Sequence, residues 1–406
     1  MKVALLSDCY LPRLGGIEVQ VHDLAGWLRR AGHEVEVFTA TPGRSGERHG
    51  AVELVDGVPV HHLALRLPGD LPVNPWAPPE LRRRLLAGGF DVAHVHMGVV
   101  SPFASDAADV ALAAGIPTAI TWHCVLDVME QVLRVSGRVG RWAEQGAALS
   151  AVSRMAARPL QRLAPRARVA VLPNGIDVDR WRPSVDVVVA QQVSAQEFPA
   201  QPVPDVQGLA TLVTAMRLAR RKRPVPLLRV LRRVEDQVGP EIDWRLDVFG
   251  DGPQRRLMQT YLRDARLTHR VRLRGRVTRD ELLESYRGAV GYVSPVRLEA
   301  FGIAALEARA AGLPVVGMRG SGVEEFVEHG VSGLLAAGDR ELGAHLVTLV
   351  SDPAEQQRIR AHNVATPPAQ SWTQVVRLAE TELRRAQAIR AGTTRAGTTR
   401  EGTNAG

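Results

Sequence analysis

Short apolar runs alternate with amphipathic stretches along this chain, and the series is played twice. No other feature constrains the fold as much. In the first half, residues 3–6, 35–39, 91–95, 118–122, 149–152 and 169–172 read as short buried strands with helical stretches between them. The clearest helix covers 19–30 and runs into Ala31-Gly32-His33, a glycine stop. Strand and helix in repeated alternation imply a parallel sheet with helices on both faces. Pro173-Asn174-Gly175 closes this half with strong turn chemistry. A second series follows, with strands at 210–215, 244–249, 271–273, 289–293 and 314–316. At 406 residues the chain is long for one core and comfortable for two.

The expected class is therefore α/β, with two facing Rossmann-like domains. A cleft between them would lie at the carboxyl ends of the strands, where open α/β sheets place ligands. The first domain is expected over 1–182 and the second over 209–370. Between them, 183–208 is richer in Pro, Gln and Val and has no periodicity, so it reads as a linker. A last helix over 371–390 could pack back on the first domain. After it, AGTTRAGTTREGTNAG at 391–406 is a low-complexity repeat, expected to be disordered.

Composition excludes several classes. Hydrophobic residues make up 45% of the chain and charged residues 23%, as in ordinary soluble proteins. Aromatic content is only 4%, a poor supply for base-stacking platforms. The start, MKVALLSDCYLP, is too short in its apolar run for a signal-peptide core or a membrane span, and no later run reaches a spanning length. Cys9 and Cys124 offer neither a disulfide framework nor metal-ligand spacing, so a reduced cytoplasm is the expected home. The formal charge of +8 comes almost wholly from arginine, which supplies 49 of the 51 basic residues. Spread along the chain in that way, it reads as a compositional habit rather than a polyanion site, and no nucleic-acid partner is expected. Lys222 stands out against that background.

The most informative segment is LEAFGIAALEARAAG at 298–312. A strand ends near Val293, a loop carries Glu299, Phe301 and Gly302, and a helix begins near Ile303. Gly302 has no side chain to keep a ligand off the backbone, and the free amides of the first helical turn favour an anion. Glu307 lies one turn further on. A pyrophosphate at the helix start with a carboxylate near ribose hydroxyls makes a coherent nucleotide-sugar site. A surface Glu pair on an ordinary Ala-rich helix fits the same residues.

Glu299 and Glu307, enclosing Phe-Gly-Ile, resemble the signature of retaining GT-B glycosyltransferases of the family 4 type, which include phosphatidylinositol mannosyltransferases and the mycothiol-pathway transferase. Further pieces match in the family's order: the glycine loop and first helix at 12–37, FDVAHVH at 90–96, TWH at 121–123, PNGID at 173–177, RLARRK at 217–222, FGDGP at 249–253 and GVSGLL at 330–335. The resemblance covers nearly the whole chain apart from the tail. It implies a retaining hexosyltransferase that moves sugar from a nucleotide-diphosphate donor bound by the second domain to an acceptor hydroxyl bound by the first, without metal or resident cofactor.

Residue by residue, the resemblance implies that Gly15 and Gly16 let the backbone approach the donor phosphates and the acceptor. Arg217 and Lys222 become the basic pair that clamps the diphosphate, a planar fork beside a compact point charge. His123 becomes the cleft histidine near the transferred sugar, and Gly250 borders the donor pocket. Val277 supplies the backbone that reads the nucleobase edge. Phe301, Gly302 and Ile303 form the diphosphate loop, with Glu299 on a sugar hydroxyl and Glu307 on the ribose. His94 and His96 alternate on one strand face but lack a third ligand, and are read as structural. Ala300 stands where small polar residues are common in the family, which leaves the donor sugar open. A sugar-nucleotide epimerase, or a non-catalytic nucleotide-sugar-binding protein, would share this fold.

The acceptor side gives thinner signals. PPELRRRLLAGGF at 78–90 places Arg82, Arg83 and Arg84 on a short helix with Leu81, Leu85 and Leu86. A basic amphipathic helix can rest on anionic lipid at the inner face of the plasma membrane. A solvated basic face on a soluble enzyme fits equally well.

Overall fold

The computed structural model describes residues 1–13, 15–46, 48, 50–65, 73–127, 129–183 and 208–402, with side chains as far as 392. The expected linker at 183–208 lies outside the described residues except at its two ends, as do residues 403–406. The chain divides into two compact units, one made of Met1–Gly175 with Gln370–Gly406 and the other of Ile176–Ala369. The break after Gly175 comes earlier than the expected 182. The reason is a short helix, Val178–Trp181, whose Trp181 ring packs 5.7 Å from that of Tyr286 and so belongs with the second unit.

The first unit begins β1 (Lys2–Ser7), α1 (Gly16–Arg30), β2 (Glu34–Thr39), β3 (Ala51–Val55), β4 (Val58–His62), α2 (Ala77–Gly88) and β5 (Val92–Met97). It continues α3 (Pro102–Ala113), β6 (Thr118–Trp122), α4 (Met129–Ser136), α5 (Arg138–Glu144), β7 (Ala148–Ala151), α6 (Arg154–Leu163) and β8 (Val169–Val171). Its eight strands lie in the order β3-β4-β2-β1-β5-β6-β7-β8. All neighbours run parallel except the β3–β4 hairpin. Strands β5, β6 and β7 are buried at every residue, as expected of a sheet covered on both faces.

The second unit holds α7 (Val178–Trp181), β9 (Ala210–Ala215), a 3-10 turn at Arg220–Lys222, α8 (Pro224–Gln237), β10 (Trp244–Phe249), α9 (Arg255–Asp264) and β11 (Val271–Gly275). After these come α10 (Arg279–Arg287), β12 (Gly291–Val293), α11 (Ile303–Ala310), β13 (Val315–Met318), β14 (Gly333–Ala336), α12 (Asp339–Ser351) and α13 (Pro353–Ala365). Six parallel strands lie in the order β11-β10-β9-β12-β13-β14. The order reverses between β9 and β12, so the loops leaving those two strands diverge and open a crevice at their carboxyl ends.

The last helix, α14 (Trp372–Gly402), returns to the first unit. Trp372, Val375, Val376, Ala379, Leu383 and Ala386 form one helical stripe in that unit's core with Val3 and Leu5 of β1 and Leu24 and Leu28 of α1. This helix does not stop at Arg390. It continues to Gly402 through the stretch expected to be disordered. No proline interrupts the repeat, and a formed helix propagates with one hydrogen bond per residue once its nucleus exists.

Candidate functional site

The second unit gathers its candidate residues at the carboxyl ends of four neighbouring strands. Arg217 and the turn ending in Lys222 follow β9, Gly250 follows β10, Val277 follows β11, and the Glu299–Ile303 loop follows β12. At the point where strand order reverses, Lys222 Nζ donates to Glu299 Oε2 at 2.6 Å. The carboxylate is largely buried and the ammonium about one-third exposed. Arg217 is exposed and forms no ion pair among the described residues.

Local backbone explains why these side chains meet. Arg223, directly after Lys222, adopts the left-handed conformation (φ 58°). Three hydrogen bonds hold it there: its guanidinium donates to the Pro295 carbonyl at 2.9 Å and to both Asp339 oxygens at 2.9 and 2.8 Å. Arg223 therefore fastens the turn carrying Lys222 to the loop carrying Glu299 and to the start of α12. Burial alone would raise the Asp339 carboxyl, but Arg223 outweighs it, with Arg297 adding, and holds it below the usual range. Neither Arg223 nor Asp339 is marked by any pattern in the sequence, one being an arginine among 49.

Gly302 caps α11 with φ 94° and, having no side chain, gives the first turn of that helix no cap hydrogen bond. A Cβ on Gly302 would sit 3.2 Å from Val323 Cγ2 and 3.4 Å from Glu299 Cγ. Gly302, Ile303 and Ala304 are part-exposed while the rest of the helix is buried, so the polar end faces outward. Phe301 departs from the expected donor contact. The residue is 2% exposed and its ring packs 5.5 Å from that of Phe326, so the side chain belongs to the core of the second unit. Glu307 is buried in the second turn of α11. Its charge adds to burial in pushing the phenols of Tyr286 and Tyr292 up.

Gly250 (φ 115°) lets the β10 loop lie against the β9 loop, since a Cβ there would fall 2.0 Å from the Met216 carbonyl oxygen. Its amide donates to the Gly275 carbonyl at 2.6 Å, two residues before half-buried Val277.

In the first unit, Gly15 and Gly16 open α1 on an exposed turn, and Gly15 is extended (φ −169°) rather than left-handed. The space beside it is taken by Glu18, whose carboxylate would lie 2.3 Å from a Cβ there. His123 follows β6 and is engaged on both sides. Its Nε2 lies 3.0 Å from His96 Nδ1 and its Nδ1 lies 3.2 Å from Asn174 Oδ1. Burial pushes His123 down to about 4 and His94 to about 3, with His96 also well below the ordinary range. Asn174 is fixed through its neighbour: Gln20 of α1 donates to the Gly175 carbonyl and accepts from the Gly175 amide, both at 2.9 Å. At the end of β1, burial raises the Asp8 carboxyl to about 7 against hydrogen bonds from Ser101 and the first turn of α3. The turn motif at 173–175 signalled Asn174, whereas nothing in the sequence pattern pointed to Gln20 or Asp8.

Among the three arginines of α2, Arg83 and Arg84 pair with Glu80 at 2.7 Å, and Arg84 also reaches His61 Nδ1 at 2.6 Å. Leu81 and Leu85 are buried in the core, leaving Arg82 and Leu86 on the exposed face.

Comparison with known proteins fits this geometry. Residues 14–180 match the model of Glycosyltransferase Family 4, and residues 200–363 match that of Glycosyl transferases group 1. The chain is 31% identical over 341 residues to a D-inositol 3-phosphate glycosyltransferase of Pseudarthrobacter chlorophenolicus, covering 80% of this chain and 79% of that one. It is 26% identical over 352 residues to a GDP-mannose-dependent alpha-(1-6)-phosphatidylinositol monomannoside mannosyltransferase of Mycobacterium tuberculosis, covering 83% and 85%. Among solved structures, Anabaena HepE in complex with UDP-glucose superposes with a TM-score of 0.67 at 20% identity, over 94% of this chain and 99% of that one. The lipopolysaccharide-biosynthesis glycosyltransferase WaaG gives 0.65 at 15%, over 94% and 99%. The fold is the one these structures share, two α/β domains with parallel sheets.

Proposed function

We propose that in this chain, which belongs to glycosyltransferase family 4 and transfers a hexosyl group from a nucleotide-sugar donor with retention of configuration, the donor diphosphate is held at the start of α11 by Lys222 and Arg217. The observation that supports this most directly is the 2.6 Å contact between Lys222 and Glu299 where strand order reverses, next to a helix start without a side-chain cap.

In this reading the anomeric carbon–oxygen bond breaks towards an oxocarbenium-like state, and its electron pair leaves with the diphosphate. Lys222, Arg217 and the amides at Gly302 and Ile303 meet that charge as preorganised donors, each worth on the order of 10²–10³ in rate. The acceptor hydroxyl attacks the same face of the sugar, and its proton passes to the departing phosphate oxygen. Glu299 holds a sugar hydroxyl and Glu307 the ribose. Gly250 and the backbone of Phe301 border the donor, and the Val277 backbone reads the base edge. Gly15 and Gly16 admit donor and acceptor, and His123 flanks the sugar.

The relatives named for GDP-mannose and D-inositol 3-phosphate, and the UDP-glucose complex, set the first compounds to try. A thermal-shift panel of UDP, GDP, UDP-glucose and GDP-mannose should raise the melting point with one base, by mass action. Lys222→Gln and Arg217→Gln should abolish that rise and lower turnover on the order of 10²–10³-fold. A protein indifferent to every nucleoside diphosphate would end the reading.

In the same reading the enzyme works in the cytoplasm, which the free thiols of Cys9 and Cys124 support. No described helix is long and apolar enough to cross a membrane. A lipid acceptor would bring it to the inner face of the plasma membrane, with Trp76, Arg82 and Leu86 of the α2 region, all exposed, as the contact. Sedimentation with phosphatidylglycerol-containing against neutral liposomes tests this, equal binding to both removing it.

A further inference from the structure

Two buried hydrogen-bond chains run across the first unit from the same strand, and each begins at a histidine nitrogen with no partner among the described residues. These nitrogens are His94 Nδ1 and His96 Nε2, both buried. A neutral imidazole carries one N–H and one bare nitrogen, and buried N–H groups without an acceptor are rarer than bare acceptors without a donor. The unpaired nitrogens are therefore the bare ones, and each ring's other nitrogen carries the proton.

That single assignment sets the direction of everything downstream. His94 Nε2–H donates to Thr121 Oγ1 at 2.7 Å, Thr121 donates to Ser150 Oγ at 2.7 Å, and Ser150 donates to the Ile120 carbonyl at 3.4 Å. Each hydroxyl in that chain has one role as acceptor and one as donor, with no conflict. In the second chain His96 Nδ1–H donates to His123 Nε2 at 3.0 Å, which must then be bare. His123 Nδ1–H in turn donates to Asn174 Oδ1 at 3.2 Å. Reversing the second chain would leave a buried N–H of His96 pointing at nothing.

We infer that His123 is locked as the neutral Nδ1–H tautomer with both ring nitrogens engaged by the protein, and that His96 and Asn174 are positioning residues that hold it there. The ring has no nitrogen left to take up or deliver a proton during transfer. Its part is to fix the shape of the wall after β6, with Asn174 anchored through the Gln20–Gly175 pairing. The functional half of this inference rests on His123 flanking the sugar, and the tautomer itself does not.

The full chain labelled with ¹⁵N-histidine would be studied by long-range ¹H–¹⁵N correlation at neutral pH, the His123 signal being assigned from its loss in His123→Gln. A protonated Nδ1 with a bare Nε2 is expected. An Nε2–H tautomer, or a ring protonated on both nitrogens, overturns the inference whatever the activity. Kinetics then tests positioning, with release of nucleoside diphosphate from UDP-glucose or GDP-mannose as readout. His96→Asn keeps a donor near the place of Nδ1, whereas His96→Leu removes it. The leucine variant should lose on the order of tenfold to a hundredfold in kcat with donor KM little changed, the scale of a small misplacement near the reacting centre, and the asparagine variant should recover most of it. Equal losses in both variants, or none in the leucine variant, overturn the positioning role. If the unaltered protein neither turns over these donors nor is stabilised by any nucleoside diphosphate, the placement of His123 at the sugar fails with the proposed function, while the spectrum still decides the tautomer.

Discussion

A methyl group at Gly250 would lie 2.0 Å from a backbone oxygen, a collision that neither partner can relieve by rotating a side chain. Gly250→Ala should destabilise the second unit by about 3 kcal/mol or more, read from urea unfolding. Gly320→Ala is the control. That residue also has positive φ (71°) but nothing within 4 Å of an added Cβ, so only the left-handed penalty of roughly 1–2 kcal/mol applies. Equal losses at the two positions would mean that close approach of the loops after β9 and β10 is not what Gly250 serves. Residues of this kind are legible because glycine and asparagine announce special backbone. Lys222 was legible for the opposite reason, as one of two lysines in a chain whose other 49 basic residues are arginine. Arg223 and Asp339 were not, since their importance comes from a contact spanning 116 positions of sequence, and a fork-shaped cation carries no sign of where it will point.

At the scale of elements, apolar runs located the buried parallel strands because strands covered on both faces must be apolar throughout. The hairpin β3–β4 escaped that logic. In β3 the apolar Val52 and Leu54 are 54% and 71% exposed, while Glu53 turns inward to pair with His62 at 3.1 Å. An edge strand with its polarity inverted does not read as a half-buried strand, although Asp56-Gly57, both at positive φ, is the hairpin turn that joins it. The closing helix α14 was legible by its stripe, and its role is structural in a way that can be measured. Trp372 lies over Gly175, where an added Cβ would come within 2.6 Å of the indole. Trp372→Ala should destabilise the first unit by about 3–5 kcal/mol, and the thermal transition of the second unit should be unmoved. A shift of both transitions together would show that the helix does not belong to the first unit's core alone.

Over the whole molecule, the two-unit plan followed from periodicity alone, whereas the polar interior of the first unit did not, because a histidine or aspartate on an apolar strand looks the same whether or not it is buried. That interior sets how stability responds to pH. His123 titrates at about 4 and His94 at about 3 when folded, with His96 also lowered, against about 6.5 in an unfolded chain. Between those values the unfolded chain binds more protons, so stability falls as pH drops below about 6.5, and above that these rings exert no effect. Asp8 opposes them. Its folded value of about 7 stands above the ordinary 3.8, so the folded chain holds the extra proton and stability falls as pH rises from about 4 to 7. With these three imidazoles, joined by His61, which burial also lowers, against one carboxyl, the net slope follows the histidines, and the first unit should melt at a progressively lower temperature from pH 7 to pH 5. Asp8→Asn removes the opposing group while keeping its shape. It should raise the melting temperature most at pH 8, the gain shrinking towards pH 4, and so steepen the loss on acidification. A variant whose gain were constant across that range, or largest in acid, would mean that Asp8 is ionised in the folded protein and that burial does not govern it.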